Sequence, residues 1–328
     1  MQVFERLRKH RLAWILSTIA IVFALVNVMA AIHAYSFTHY SDSDEATSRP
    51  EKLSLGDKFE VLLTGVSLPR PAIDRTPEDL ALSFETHTFP SSEETLESWL
   101  VPCDKPKGII LMFAGYGSCK SDLLDEIAAI RGLGYACMAV DFRGSGGSTG
   151  NECSLGYFEA EDVAAAVRYC RRLNPEAKIV LLGQSMGGAA VMRAVAELGV
   201  EADALVIECV FDRMLTTIEN RFTIMGLPPF PLAELLTFWG GALCAFDAFD
   251  FNPVDYASKM NCPTLFLQGS EDKRVLLDQA LSVVESCPGS QGLVIFEGIG
   301  HQAAVEYDPV LWSESIAGFL KAQLDHGP

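Results

Sequence analysis

The chain has 328 residues, 49% of them hydrophobic and 21% charged, an ordinary globular composition with apolar material for one large core or two small ones. A formal net charge of −18 and a pI near 4.7 argue against a nucleic-acid partner, because binding phosphates needs clustered Lys and Arg. The same apolar fraction removes disorder as the default state.

Leu12 to Ala34 contains no Asp, Glu, Lys or Arg and as a helix runs about 34 Å, enough to cross hydrocarbon. Arg6, Arg8, Lys9 and Arg11 precede it and Asp42, Asp44 and Glu45 follow. The positive-inside bias therefore keeps the N-terminus cytoplasmic and exports the rest, as a single-pass membrane protein. Two alternatives stay open: a helix buried in the protein, and a cleaved signal with Val28-Met29-Ala30 as its site, which gives a secreted product. From Ser36 to Asp79 the chain is polar and proline-dotted, a stalk and lead-in with one short strand at Phe59 to Leu63.

From Leu80 apolar runs alternate with helix-length amphipathic segments. Leu82 to Phe89 and Glu94 to Val101 form an antiparallel pair about a polar turn at Ser91 and Ser92. Ile109 to Phe113, Ala136 to Val140, Ile179 to Leu182, Ala204 to Ile207, Thr264 to Leu267 and Leu293 to Phe296 are short continuous apolar runs, the pattern of strands covered on both faces. Helices fall near Leu123 to Arg131, Tyr157 to Arg172, Met186 to Leu198, Leu276 to Ser286 and Val310 to Leu324. This alternation predicts an α/β fold with a mostly parallel, doubly wound sheet. Met214 to Phe251 breaks it with an apolar, Pro- and Gly-interrupted stretch, read as a helical lid; its prolines, its glycine pair and Glu234 exclude a second span. The nine cysteines form no C-x-x-C pair, so no zinc or thioredoxin-like site is expected. Most read as buried thiols, although export would permit a disulfide between Cys262 and Cys287.

Gly183-Gln184-Ser185-Met186-Gly187 is a G-x-S-x-G pattern between the strand ending at Leu182 and the helix opening at Met186. Glycines there let a strand turn sharply into a helix and leave the serine hydroxyl projecting. A serine needs a base, normally a histidine oriented by a carboxylate. His10 and His33 bracket the apolar helix, His39 lies in the stalk, His87 in the first strand and His326 at the C-terminus. That leaves His301, in the loop after the last strand. The carboxylate is expected from Gly269-Ser270-Glu271-Asp272, with Asp272 the candidate and Glu271 and Asp212 its rivals. Oxyanion donors are expected from the backbone N–H groups of Met186, following the serine, and Tyr116, in Ala114-Gly115-Tyr116-Gly117. The glycine-rich stretch Gly144 to Gly150 lacks the Walker lysine and misses the dinucleotide spacing, so it reads as a turn.

With Asp141-Phe142-Arg143-Gly144-Ser145-Gly146 and Asn252-Pro253-Val254-Asp255 added, Leu82 to Leu324 resembles the α/β-hydrolase superfamily, particularly its lipase, esterase and serine-aminopeptidase-like branch. The resemblance implies an eight-stranded sheet, an acyl-enzyme mechanism and no cofactor. Many members carry His-Gly where this chain has Ala114-Gly115, which bears on loop rigidity and substrate preference. The expected layout is a cytoplasmic segment 1–11, a membrane helix 12–35, a stalk 36–79 and a hydrolase domain 80–328 with its lid at about 214–251. The expected activity is cleavage of a small-molecule acyl or lipid-like ester by Ser185, Asp272 and His301. An aminopeptidase, an amidase or an acyltransferase on the same residues is the alternative, and a catalytically silent binding module the third reading.

Overall fold

In the computed structural model, which describes residues 2–41, 56, 61 and 65–324, eight strands form one sheet. They are β1 (Glu85–Ser91), β2 (Glu94–Val101), β3 (Ile109–Phe113), β4 (Ala136–Val140), β5 (Ile179–Gln184), β6 (Ala204–Glu208), β7 (Thr264–Gly269) and β8 (Ser290–Phe296), in spatial order β1-β2-β4-β3-β5-β6-β7-β8. β1 and β2 pair antiparallel, as do β2 and β4; every other neighbouring pair is parallel. The first strand starts at Glu85 rather than Leu82, and β5, β6 and β7 each run one or two residues past the apolar run that predicts them.

Period-two alternation divides each buried strand between two cores. Ile109, Leu111, Phe113, Ile179 and Leu181 face one side; Ile110, Met112, Val180 and Leu182 face the other. Helices cover both faces: α2 (Leu124–Gly132) and α10 (Pro309–Leu324) bury Ile127, Ile130, Trp312 and Ile316 on the second, while α3 (Glu159–Leu173), α4 (Met186–Leu198) and α8 (Leu277–Ser286) bury Val163, Ala189 and Val283 on the first. Short helices α7 (Pro253–Ala257) and α9 (Ala304–Tyr307) lead into β7 and α10.

The insertion between β6 and β7 is helical, as expected: α5 (Met214–Ile224) and α6 (Leu232–Leu243). The apolar N-terminal segment forms α1 (Gln2–Thr38). None of its apolar window is buried, so the helix is not a core element. Its C-terminal portion nonetheless packs on α6, with Ala34 and Thr38 buried and Trp239 Nε1 donating to Asn27 Oδ1 at 3.3 Å. Past the helix, the Tyr40 and Ser41 N–H groups bond to the carbonyls of Asn151 and Leu68, and Arg70 donates to Gly146 and Gly150 in the glycine-rich turn. The strand expected at Phe59 to Leu63 falls, apart from Val61, outside the described residues. Val61 itself is helical, its carbonyl accepting the Gly65 N–H at 2.9 Å. All nine cysteines are free; Cys262 and Cys287 donate their thiols to backbone carbonyls of Ala202 and Met260 instead of bonding to each other.

Candidate active site

The C-terminal edge of the sheet carries the site. Between Gln184 and Met186 the chain reverses within one residue, which puts Ser185 at φ 50° and ψ −112°, a conformation costly for any L-residue. The Ser185 N–H is tied to the Glu208 carbonyl of β6 at 2.7 Å. Both glycines of the pattern are required by close approach: a Cβ on Gly183 would stand 2.6 Å from the Gly187 carbonyl oxygen, and one on Gly187 2.4 Å from that of Phe113.

His301 and Asp272 meet this serine from the ends of β8 and β7. His301 Nε2 lies 3.0 Å from Ser185 Oγ, and His301 Nδ1 lies 2.7 Å from Asp272 Oδ2. The other carboxylate oxygen accepts the Arg274 and Val275 N–H groups at 2.8 and 2.9 Å. Burial works to raise the Asp272 carboxyl, but the His301 hydrogen bond and charge together with those two N–H groups outweigh it and hold the group below its usual range. An ionised Asp272 facing Nδ1 fixes the proton on that nitrogen and leaves Nε2 to accept from the serine hydroxyl. The His301 loop is itself pinned: Gly298 N–H donates to Ser270 Oγ, the Ile299 carbonyl accepts from Glu271 N–H, and Ala304 N–H donates to Glu208 Oε1.

Neither rival carboxylate joins this chain of contacts. Glu271 is exposed. Asp212 accepts from the Arg213 N–H and the Thr216 hydroxyl at the start of α5. Of the remaining histidines, His87 bonds to Tyr169 and Glu85, His39 stacks on Tyr35, and His10 is exposed. His326 lies outside the described residues.

The loop after β3 stands over the serine, with a Cβ on Gly115 falling 3.5 Å from the Ser185 Cβ. Tyr116 N–H finds no acceptor among the described residues, and Met186, first residue of α4, has an N–H without an intrahelical partner. Both N–H groups are thus unengaged among the described residues, one on the residue after Ser185 and one on the residue after Gly115. The Tyr116 hydroxyl donates to the Phe37 carbonyl at 2.7 Å, joining this loop to the end of α1. The Asp141 and Arg143 turn is structural: Arg143 holds Asp162 through Nε and Nη2 at 3.1 and 2.7 Å, and Asp141 accepts from Gly147 N–H and from the buried Lys120.

Several groups near the serine carry no sequence signal. Glu126 of α2 accepts from Gln184 Nε2 at 2.6 Å, directly behind Ser185. Burial, then the charge of Glu208, pushes its carboxyl up to about 8. Glu208, the last residue of β6, is raised by burial against the opposing Ala304 N–H. One residue on, Cys209 Sγ and ligand atoms of Asp272 and His301 all lie within 4.8 Å of one another. A cation held there would have to break the bond between the His301 imidazole and Asp272, and burial pushes the Cys209 thiol well up, against the thiolate a metal needs. On the side of the helical insertion, burial and the neighbouring Arg274 lower the Arg221 guanidinium to about 10.

Residues 104–211 match the family described as serine aminopeptidase, S33. The Bacillus subtilis (strain 168) protein named "Uncharacterized protein YqkD" is 24% identical over 224 residues, 67% of this chain and 73% of that one. Among solved structures, an esterase from Pyrococcus furiosus is similar over 78% of this chain and 97% of its own, with a TM-score of 0.65 and 21% identity. Est1E from Butyrivibrio proteoclasticus, solved with ferulic acid bound, is similar over 73% of this chain and 99% of its own, with a TM-score of 0.59 and 17% identity. The fold is accordingly the α/β-hydrolase fold, its eight-stranded sheet carrying a short helical insertion before β7.

Proposed function

We propose that this chain is a serine hydrolase that cleaves carboxylic esters with acyl or lipid-like chains, anchored in a membrane by α1. The observation that carries the reading is the unbroken series Asp272–His301–Ser185 at 2.7 and 3.0 Å; the unengaged N–H groups of Tyr116 and Met186, in the adjoining turns, support it. His301 Nε2 takes the Ser185 proton as Oγ attacks the ester carbonyl carbon, and the carbonyl π pair moves onto oxygen, where Tyr116 and Met186 N–H groups receive the negative charge. Collapse of the tetrahedral species expels the alkoxide, which leaves as the alcohol with the proton from His301. Water, deprotonated by the same nitrogen, then attacks the acyl-serine; the proton returns to Oγ and the acid departs. Asp272 stays ionised throughout and stabilises the imidazolium.

An apolar insertion bordering the site favours acyl chains over charged peptides. The family description of residues 104–211 keeps amide cleavage as the second reading, and p-nitrophenyl esters compared with amino-acid p-nitroanilides separate the two. Ester hydrolysis is expected to exceed anilide hydrolysis, and Ser185→Ala to lower it by about 10⁴-fold or more. Faster anilide turnover would transfer the assignment to a peptidase, and full activity in Ser185→Ala would remove Ser185 from the chemistry. The charge bias flanking the uncharged stretch Leu12 to Ala34 of α1, with Arg6, Arg8, Lys9 and Arg11 before it and Asp42, Asp44 and Glu45 after it, supports a cytoplasmic N-terminus and an extracytoplasmic domain. Signal cleavage would instead release the same domain.

A further inference from the structure

α1 and the lid are in register along their lengths. Pro231 and Leu235 of the lid share an open apolar groove with Thr18, Ile19, Val22, Phe23 and Val26 of α1. Trp239, one turn beyond Leu235, bonds to Asn27. The midpoint of the uncharged stretch Leu12 to Ala34 is residue 23, so the start of α6 lies level with the middle of that stretch. A bilayer that accommodates the whole stretch necessarily reaches the start of α6.

The lid is built for such contact. Ile224, Met225, Leu227, Phe230 and Phe238 are exposed, Phe230 at 74%. Between Phe222 and Phe246 the only charged residue is Glu234, and its Oε2 is buried rather than presented to the surroundings. α6 has 12 residues, about 18 Å at 1.5 Å per residue, too short for a bilayer and close to the depth of one leaflet. α1 meanwhile ends at Thr38, next to the Phe37 carbonyl that holds Tyr116. The segment leaving the bilayer is thus bonded to the loop over Ser185.

We propose that the connection between α5 and α6 and the start of α6 are sunk in the leaflet from which α1 emerges, so that the mouth of the Ser185 site opens at the lipid surface and a membrane-dissolved ester enters it sideways. The occupant of this apolar face is the lipid bilayer, by continuity with α1. Its headgroups are zwitterionic, because a chain of net charge −18 is repelled by anionic ones. The inference rests on α1 being a membrane helix, and its test separates that premise, the lid and the chemistry.

Full-length protein is placed in phosphatidylcholine vesicles whose acyl chains are brominated, with tryptophan as reporter. Trp99 and Trp312 are buried in the core and form a constant background. F230W in a Trp14→Phe, Trp239→Phe background reports the lid. L173W in the same background reports the opposite end of the sheet, and Trp14 alone reports α1. Quenching of F230W by bromolipid, with shielding from aqueous iodide and the reverse at L173W, is the expected result. Trp14 quenched while F230W is reached by iodide overturns the inference and leaves the anchor standing. F230W shielded from both quenchers overturns it in favour of a protein partner or a second copy. If bromolipid quenches neither Trp14 nor F230W, the premise and the inference fall together while esterase activity stands on its own. Phe230→Glu supplies the functional arm: hydrolysis of a long-chain monoacylglycerol in the vesicles falls about tenfold, with soluble p-nitrophenyl acetate unaffected. Equal loss on both substrates contradicts the proposal.

Discussion

Burial makes a carboxyl keep its proton, and Glu126 sits one hydrogen bond from Gln184 in the turn that carries Ser185, with its carboxyl pushed up to about 8. In the unfolded chain the same group releases its proton near its ordinary value of about 4.3. Between those two points the folded state binds the extra proton, so stability falls as pH rises, by up to about 1.4 kcal/mol per pH unit, and the slope ends above about 8. Glu126→Gln keeps an acceptor for Gln184 and removes the titration. Denaturant melts at pH 5 and pH 8 are expected to show a smaller loss for the variant than for the parent; equal losses would mean that Glu126 ionises normally in the fold. Ser185, His301 and Asp272 were legible because a motif, a chain order and a shortage of histidines all point at them. Glu126 and Glu208 were not: neither a helix position nor a strand end signals burial of a carboxylate, and only the packed sheet places them against Gln184 and Ala304.

At the scale of elements, continuous five-residue apolar runs specified β3 and β4 to the residue, because both faces of those strands are covered. The pattern ended early at β5, β6 and β7, whose last residues Gln184, Glu208 and Gly269 are polar or small where the sheet edge becomes the site. The step from β5 to α4 depends on Gly187. In Gly187→Ala the new Cβ meets the Phe113 and Ala114 carbonyl oxygens at 2.4 and 2.6 Å, so either the loop carrying Tyr116 or the start of α4 must move. Displacing one oxyanion donor lowers kcat by about 10²-fold, with a smaller change in KM. A variant with parental kcat would show that these N–H groups do not face the reacting oxygen.

Over the whole molecule, the sequence shows an apolar helix, an apolar insertion and a serine motif as three separate features. The structure joins them through Trp239 to Asn27 and Tyr116 to Phe37. Single polar contacts across 212 and 79 residues leave no periodic trace in a sequence, so this joining was not readable from it. The remaining claim is that the assembled site activates a serine. Full-length protein treated with a fluorophosphonate and mapped by peptide mass spectrometry tests it most directly. One phosphonyl adduct is expected, on Ser185, abolished by heat denaturation and strongly slowed by His301→Ala. Folded protein that stays unmodified, or an adduct on another residue, would contradict it.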